Sequence, residues 1–455
     1  MTSVACSFSL PRPRRGFSTL SMRRVHCFYE SNMIVAGARL DLSLPSSCQP
    51  PREGTMTSKN STMDIPQQAG AWGAVFSMSL CVAMLIASEF MPVSLLTPIA
   101  DSLGATEGQT GQAISISGFF AVTASLLMTT LAGRIDRKWV LIAMTGLMLL
   151  SLGLIAAAPT FIVLMLARAL LGICIGGFWA LGTAVIMRLV PKESVSRALA
   201  VMYTGQAVAA AFAAPIGSYL GGIIGWRGVF WILVPIVALN LVWQLLVLPS
   251  LPANDRQSFR SLLEVLKRPY FAQGITAVIL TFSGAFSMFA YLRPFLETVT
   301  GVDVVTLSQL FLVLGCSGFI GTWAGGRYAD DHVIRLLQVV PLTMAVVTLG
   351  LIGFGQFVVT TAALLAIWGI MNTAMSIGWM AWLSQNVDDE PEAAGSLIVA
   401  AIQSSILLGA ALGGALLDHI GVDATFMGSA VLSGIAVLLV GSGNRLLKDT
   451  SFRKC

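Results

Sequence analysis

Charge is scarce in this chain. Asp, Glu, Lys and Arg make up 11% of its 455 residues, against roughly 25% in an ordinary soluble domain, while 56% are hydrophobic. Water is therefore not its main solvent. Histidine is nearly absent, with three in all and none in the middle of an apolar run, which removes the usual general base and metal ligand. No Gly-x-x-x-x-Gly-Lys phosphate loop and no nucleophile elbow occurs. An enzyme is not expected, nor a motor driven by ATP hydrolysis. The seven cysteines, Cys6, Cys27, Cys48, Cys81, Cys174, Cys316 and Cys455, lack the close pairing of a redox or metal motif. The chain thus carries no sign of a metal or an organic cofactor. No basic patch interleaved with aromatics suggests nucleic acid, despite the net charge of +5.

What the chain does have is apolar runs of about 20 residues, the length that spans a ~30 Å hydrocarbon core as a helix. Twelve are read, at 72–98, 107–131, 139–158, 161–187, 199–223, 228–250, 271–296, 304–325, 333–356, 358–386, 393–417 and 424–443. Residues 1–71 differ: they are rich in proline and arginine, contain no spanning run, and are expected to be disordered. Met56 and Met63 stand just before the first run, so the leader is read as an upstream start and expected to be dispensable. The domains are then 72–250 and 271–443, six helices each, joined by a linker at 251–270 and followed by a tail at 444–455. The linker holds a short amphipathic stretch from Phe259 to Lys267. A repeat supports the division, since Ala214-Pro215-Ile216-Gly217 through Phe230 matches Ala410-Ala411-Leu412-Gly413 through Phe426 without gaps.

Lysine and arginine set the orientation. Nearly every even-numbered connection is basic: Arg134, Arg137 and Lys138; Arg188, Lys192 and Arg197; Arg256, Arg260, Lys267 and Arg268; Arg327 and Arg335. The odd connections offer Arg227 and Arg293 close to helix ends. Both termini are therefore predicted to be cytoplasmic, in a multi-pass membrane protein. Parallel six-helix repeats of this kind place a substrate site near the bilayer midplane, where one half rocks against the other.

An ionised side chain at the bilayer centre costs ~2.5–3.5 kcal/mol on insertion scales, so each exception calls for a reason. Glu89 is the acid lying well inside a span, three residues before Pro92, which loosens the helix. A low dielectric favours the uncharged carboxyl, as a proton carrier requires. Counting at 1.5 Å per residue puts Arg168 ~12 Å and Glu89 ~14 Å below the outer surface, so the two are predicted to meet as an ion pair. Arg293 and Glu297, near the outer end of the seventh run, are expected to snorkel to the interface.

Several motifs resemble the major facilitator superfamily, and within it the twelve-helix exporters of drugs and metabolites that run on proton antiport. Leu131-Ala132-Gly133-Arg134-Ile135-Asp136-Arg137-Lys138 is similar to that family's loop between its second and third helices, with Gly133 where the family has Asp. Gly326-Arg327-Tyr328-Ala329-Asp330 stands in the equivalent loop of the second half. The resemblance implies gating roles for Arg134, Asp136, Arg327 and Asp330, with Asp136 taking the missing acid's place from one turn away. Arg168 through Gly177 resembles the Arg-x-x-x-Gly-x-x-x-Gly-Gly pattern of the fourth helix, and Ala214-Pro215-Ile216-Gly217 a degenerate Gly-Pro antiporter motif, implying a bend at Pro215 as at Pro92.

Glu89-Phe90-Met91-Pro92, Gly176-Gly177-Phe178-Trp179-Ala180, Tyr291-Leu292-Arg293-Pro294-Phe295 and Gly378-Trp379-Met380-Ala381-Trp382 resemble the exporters of purine ribonucleosides. Exporters of arabinose and other sugars share the Glu-Phe-x-Pro element. The resemblance implies efflux of purine ribonucleosides of the inosine or guanosine type, coupled to protons through Glu89 and Arg168. A sugar or multidrug antiporter and a proton-coupled importer are the alternatives. A nucleoside presents a flat base and a hydroxyl-rich sugar, so its site calls for aromatic faces, amides and hydroxyls. Phe90, Phe178, Trp179, Tyr291, Asn372, Trp379, Trp382, Gln403 and Ser404 supply these within spans. The expected partners are the small-molecule substrate, protons and the lipid bilayer; no nucleic acid is expected, and the protein is expected to work as a monomer.

Overall fold

The computed structural model describes residues 65–131, 135–252, 259–387 and 390–447. All regular structure among them is helical: α1 (Ile65–Ser94), α2 (Leu96–Leu103), α3 (Glu107–Leu131), α4 (Arg137–Ala157), α5 (Phe161–Leu189), α6 (Val195–Val247), α7 (Phe259–Leu266), α8 (Pro269–Ala290), α9 (Leu292–Phe295), α10 (Val304–Phe354), α11 (Val358–Asn386), α12 (Pro391–His419) and α13 (Val422–Val440). The expectations for residues 1–64 and for the loop carrying Arg134 lie outside the described residues. Helix α1 begins at Ile65, inside the segment expected to be disordered up to residue 71. Pro66 sits in its first turn, where a missing N–H costs nothing.

Eleven described stretches are long and apolar enough to cross a bilayer, and one of them, Arg197–Val247, is too long for a single crossing. The 53 residues of α6 would reach ~80 Å at 1.5 Å each, more than twice the hydrocarbon thickness. Gly225 resolves this: with φ 74° and ψ 159° it breaks the helix into a descending and a returning limb. Only glycine takes that conformation readily. Trp226 donates from Nε1 to Ser102 Oγ (2.7 Å), and Arg227 lies 4.1 Å over the Trp226 ring while donating to the Ala158 carbonyl, so the turn is fixed to the neighbouring helix ends. The 51 residues of α10 bend likewise at His332 (φ −136°, ψ 38°); its two limbs are already two of the eleven stretches, so dividing α6 gives twelve crossings among the described residues. Gly421, the repeat partner of Gly225, also has positive φ (130°) between α12 and α13. Phe230 and Phe426, five residues beyond each glycine, are both fully buried. The sequence repeat is thus a repeat of structure.

Two apolar cores correspond broadly to the two halves, one built on α1 and α3–α6, the other on α8–α13 together with Val93, Leu96, Ile114 and Ala214 of the first half. Within the expected linker, α7 packs Leu262 and Val265 into the second core and leaves Leu263 and Leu266 exposed. Helices approach closely where side chains are small. The four-residue spacing of Arg168, Gly172 and Gly176 lines them along one face of α5, and that face meets α3, where a Cβ on Gly172 would strike the Ser117 carbonyl and one on Gly176 the Ala121 carbonyl. Lipid gives helices no hydrophobic reason to associate, so such close backbone contact is what holds them.

A substitution pair tests this. Gly172→Ala forces α3 from α5 and is expected to cost about 1–3 kcal/mol through overpacking. Gly146→Ala on α4, where no atom stands within 4 Å of the new methyl, is expected to be neutral or slightly stabilising. Thermal unfolding in detergent reads both, and equal effects contradict the packing account.

Candidate functional site

Pro92 has no N–H, so the carbonyl four residues back, that of Ser88, loses its helical donor. Arg168 supplies the replacement. Its Nη1 donates to the Ser88 carbonyl (2.9 Å) and its Nε to the Ala113 carbonyl of α3 (3.0 Å), while Ser117 Oγ returns a bond to the Arg168 carbonyl (2.8 Å). One residue thereby ties α5 to α1 and α3. Its Nη2 is buried without a partner. Arg168 is 1% exposed and Glu89, next to Ser88, 6% exposed. The two stand at the same depth, as the residue count predicts, but the expected ion pair is not formed: no nitrogen–oxygen distance between them falls within 4.0 Å. The freed backbone carbonyl, not the carboxylate, takes the guanidinium. α1 ends two residues after Pro92, and the chain restarts as α2 after Leu95, whose N–H is shared between the Met91 and Pro92 carbonyls. Pro215, by contrast, lies within the unbroken first limb of α6.

Between the halves lies a cavity, partly open to solvent, walled by α1, α6, α8, α10 and α11. Its apolar surface is aromatic. Phe90 meets Phe289 edge-on at 5.3 Å, and Phe289 stacks on Trp368 at 5.9 Å with 11° between planes. Its polar wall comes from α11 and α10, namely Asn372, Thr373 and Thr322. The Trp368 indole N–H is buried without an acceptor, and Asn372 follows four residues later, on the same helix face.

Of the residues singled out for substrate, Phe90 and Asn372 line this cavity. The others stand elsewhere. Phe178 is buried in the first core, and Trp179 stacks on Tyr203 at 6.1 Å. Trp379 packs edge-on against Trp382, which donates to the Leu446 carbonyl (2.9 Å) beneath the C-terminal turn and stacks on Phe271. Tyr291 is fully buried and donates to the Ala410 carbonyl (2.7 Å). Gln403 is buried with its Nε2 unpartnered, and Ser404 bonds back to the Ala400 carbonyl of its own helix. Phe286, Phe289, Trp368 and Thr373 were not anticipated, although the three-residue step from Phe286 to Phe289 and the four-residue step from Trp368 to Asn372 were available as same-face pairs.

At the end of the bundle away from the basic connections, a set of hydrogen bonds joins the halves. Arg293 does not snorkel. It is 6% exposed, clasps Glu297 through Nε (2.8 Å) and Nη2 (2.7 Å), and donates from Nη1 to the Ser94 carbonyl of the other half. The Thr97 hydroxyl lies 2.8 Å from Glu107 Oε1 and 2.6 Å from Glu297 Oε2. Asp418 accepts from the Thr106 hydroxyl (2.7 Å) and the Gly108 N–H (3.0 Å), placing an acid at the N-terminus of α3, where the helix dipole favours it. Contacts with neighbouring helices thus engage these charges, while Asp418 remains exposed.

At the opposite end, Asp136 caps α4 by accepting from the Lys138 N–H (2.8 Å), and it also accepts from the Leu251 N–H (2.8 Å) and the Ser250 hydroxyl. Partial burial pushes its carboxyl up, but these hydrogen bonds and the Lys138 charge outweigh that and hold it below its ordinary value. Asp136 thus anchors the start of the linker within its own half. Arg327 belongs to α10; the side chains of Arg134 and Asp330 lie outside what is described.

Twelve spanning helices in two repeated halves around a central cavity define a membrane transporter. A sequence profile of the Major Facilitator Superfamily matches residues 78–400, and the chain belongs to that family, as a multi-pass inner-membrane protein. It is 46% identical over 378 residues, 82% of this chain and 94% of the other, to a Pseudomonas aeruginosa protein named transcription regulatory protein OpdE. It is 37% identical over 375 residues, again 82% and 94%, to the purine ribonucleoside efflux pump NepI of Salmonella paratyphi C. Among solved structures, a bacterial homologue of the human lysosomal transporter Spinster, in an inward-facing and unoccupied conformation, superposes with a TM-score of 0.69 at 15% identity, covering 82% of this chain and 96% of that one. The human organic anion transporter MFSD10 gives 0.59.

The Ser88 carbonyl provides a test. Arg168→Met leaves it buried without a donor, a loss of about 1–3 kcal/mol, whereas adding Pro92→Ala restores a backbone N–H to it. A double-mutant cycle on thermal stability is expected to show the second change offsetting much of the first, with a coupling of about 1–3 kcal/mol. Additive effects contradict the assignment.

Proposed function

We propose that this transporter exports purine ribonucleosides in exchange for protons, with both termini in the cytoplasm. The observation that carries the reading is the cavity wall. Stacked and edge-on aromatics suit a flat base, while the Asn372 amide suits its polar edge and the ribose hydroxyls. The 37% identity to a named nucleoside efflux pump supports the same substrate class.

Glu89 is the proposed proton carrier. Arg168 is engaged by backbone carbonyls, so Glu89 is not locked into an ion pair and its charge is free to change as the halves rock. Each proton entering across 100 mV supplies ~2.3 kcal/mol to drive export. One chain contains the whole cavity, so a monomer suffices.

Everted membrane vesicles test the reading. An imposed proton gradient is expected to drive uptake of radiolabelled inosine and guanosine in preference to arabinose, and Glu89→Gln to abolish the gradient dependence. Asn372→Ala removes about one hydrogen bond, worth roughly tenfold in KM. Preference for arabinose overturns the substrate class, and flux indifferent to the gradient overturns antiport.

A further inference from the structure

The junction of Glu107, Thr97, Glu297 and Arg293 holds a proton-counting problem. A threonine hydroxyl has one hydrogen to donate. Thr97 Oγ1 nevertheless lies within hydrogen-bond distance of two carboxyl oxygens, Glu107 Oε1 at 2.8 Å and Glu297 Oε2 at 2.6 Å. If both acids were ionised, one of these contacts would bring two oxygens together with no hydrogen between them. The second hydrogen must therefore belong to a carboxyl. Glu297 already receives two donors from Arg293 on its other oxygen, which keeps it ionised. Glu107 has no such partner, since its electrostatic neighbours are Glu297, Asp101 and the Arg293 that Glu297 engages. Asp418, on the adjoining turn, is occupied by Thr106 and Gly108. The chain then runs from the Glu107 carboxylic acid to the Thr97 hydroxyl to the Glu297 carboxylate to Arg293.

Thr97 and Glu107 belong to one half, Glu297 and Arg293 to the other, so the chain exists only while this end is closed. On opening, Glu297 withdraws, the Thr97 hydroxyl turns to Glu107, and one donor suffices for one ionised acceptor. We infer that closing this end of the bundle takes up one proton, held on Glu107 against Thr97 and Glu297, and that opening releases it. This proton site rests on the chain being a two-state transporter and not on Glu89 as carrier. Acid on this side favours the closed state and alkali the open one.

Spin-label distances test the inference with labels at Ala157 and Gln356, two exposed positions at this end on opposite halves, in a chain whose native cysteines are replaced and which carries Glu89→Gln. The ratio of closed to open populations is expected to fall by up to about tenfold per pH unit as the pH rises, the slope of one linked proton. Adding Glu107→Gln, whose amide donates to Thr97 at every pH, is expected to remove the slope. Glu107→Ala is expected to remove it too, since Thr97 then serves Glu297 alone, and it stands in should the glutamine variant not fold. A slope that survives both substitutions overturns the inference, as does a ratio that fails to move with pH once Glu89 is replaced.

Discussion

A single guanidinium takes over the duty of the backbone donor that Pro92 removes. Without Arg168 the Ser88 carbonyl would be buried and unpaired in the middle of a membrane helix, where no water can reach it. With it, α1 turns past the cavity, α5 and α3 are tied to the same point, and Glu89 sits beside a guanidinium two of whose nitrogens donate to carbonyls. A carboxyl in that position is neither pinned as an anion by a contact ion pair nor fully free of attraction. That balance is what a site requires if its proton is to come and go.

The same logic separates the two halves' roles. The first half holds the acid and its arginine; the second supplies most of the aromatic and amide wall of the cavity, and Phe90, one residue from Glu89, bridges them by reaching Phe286 and Phe289. A ligand against Phe90 thus touches the residue adjacent to the proposed proton carrier, giving cargo and proton a short path of influence. The polar junction of Thr97, Glu107, Arg293 and Glu297 joins the halves at one end through groups that can exchange partners as the halves part. Alternation between two such arrangements needs bistable contacts of this kind, not a deformable core.

Much of this was legible in the chain. The spans follow from the bilayer's thickness, and the repeat around Gly225 and Gly421 from the matching residues themselves. The level of Glu89 and Arg168 follows from rise per residue. Their relation does not, because an acid and a base at one depth suggest an ion pair while the missing N–H of Pro92 is easily passed over as a mere kink. Trp379 and Trp382 drew attention through a motif but serve packing beneath the C-terminal turn. Trp368 carries no motif, and its role depends on which helix faces which. Arg293 and Glu297 lie near a helix end, where snorkelling is the ordinary expectation; their partners Ser94 and Thr97 are about 200 residues away in sequence, and only the packed halves bring them together.

The central claim is that Glu89 changes its proton occupancy because Arg168 is committed to backbone carbonyls. Infrared difference spectroscopy on the reconstituted protein, recorded between substrate-free and substrate-saturated states, measures this directly. The account predicts a protonated-carboxyl band that changes between the two states and is lost in Glu89→Gln; a spectrum without any band assignable to Glu89 contradicts it.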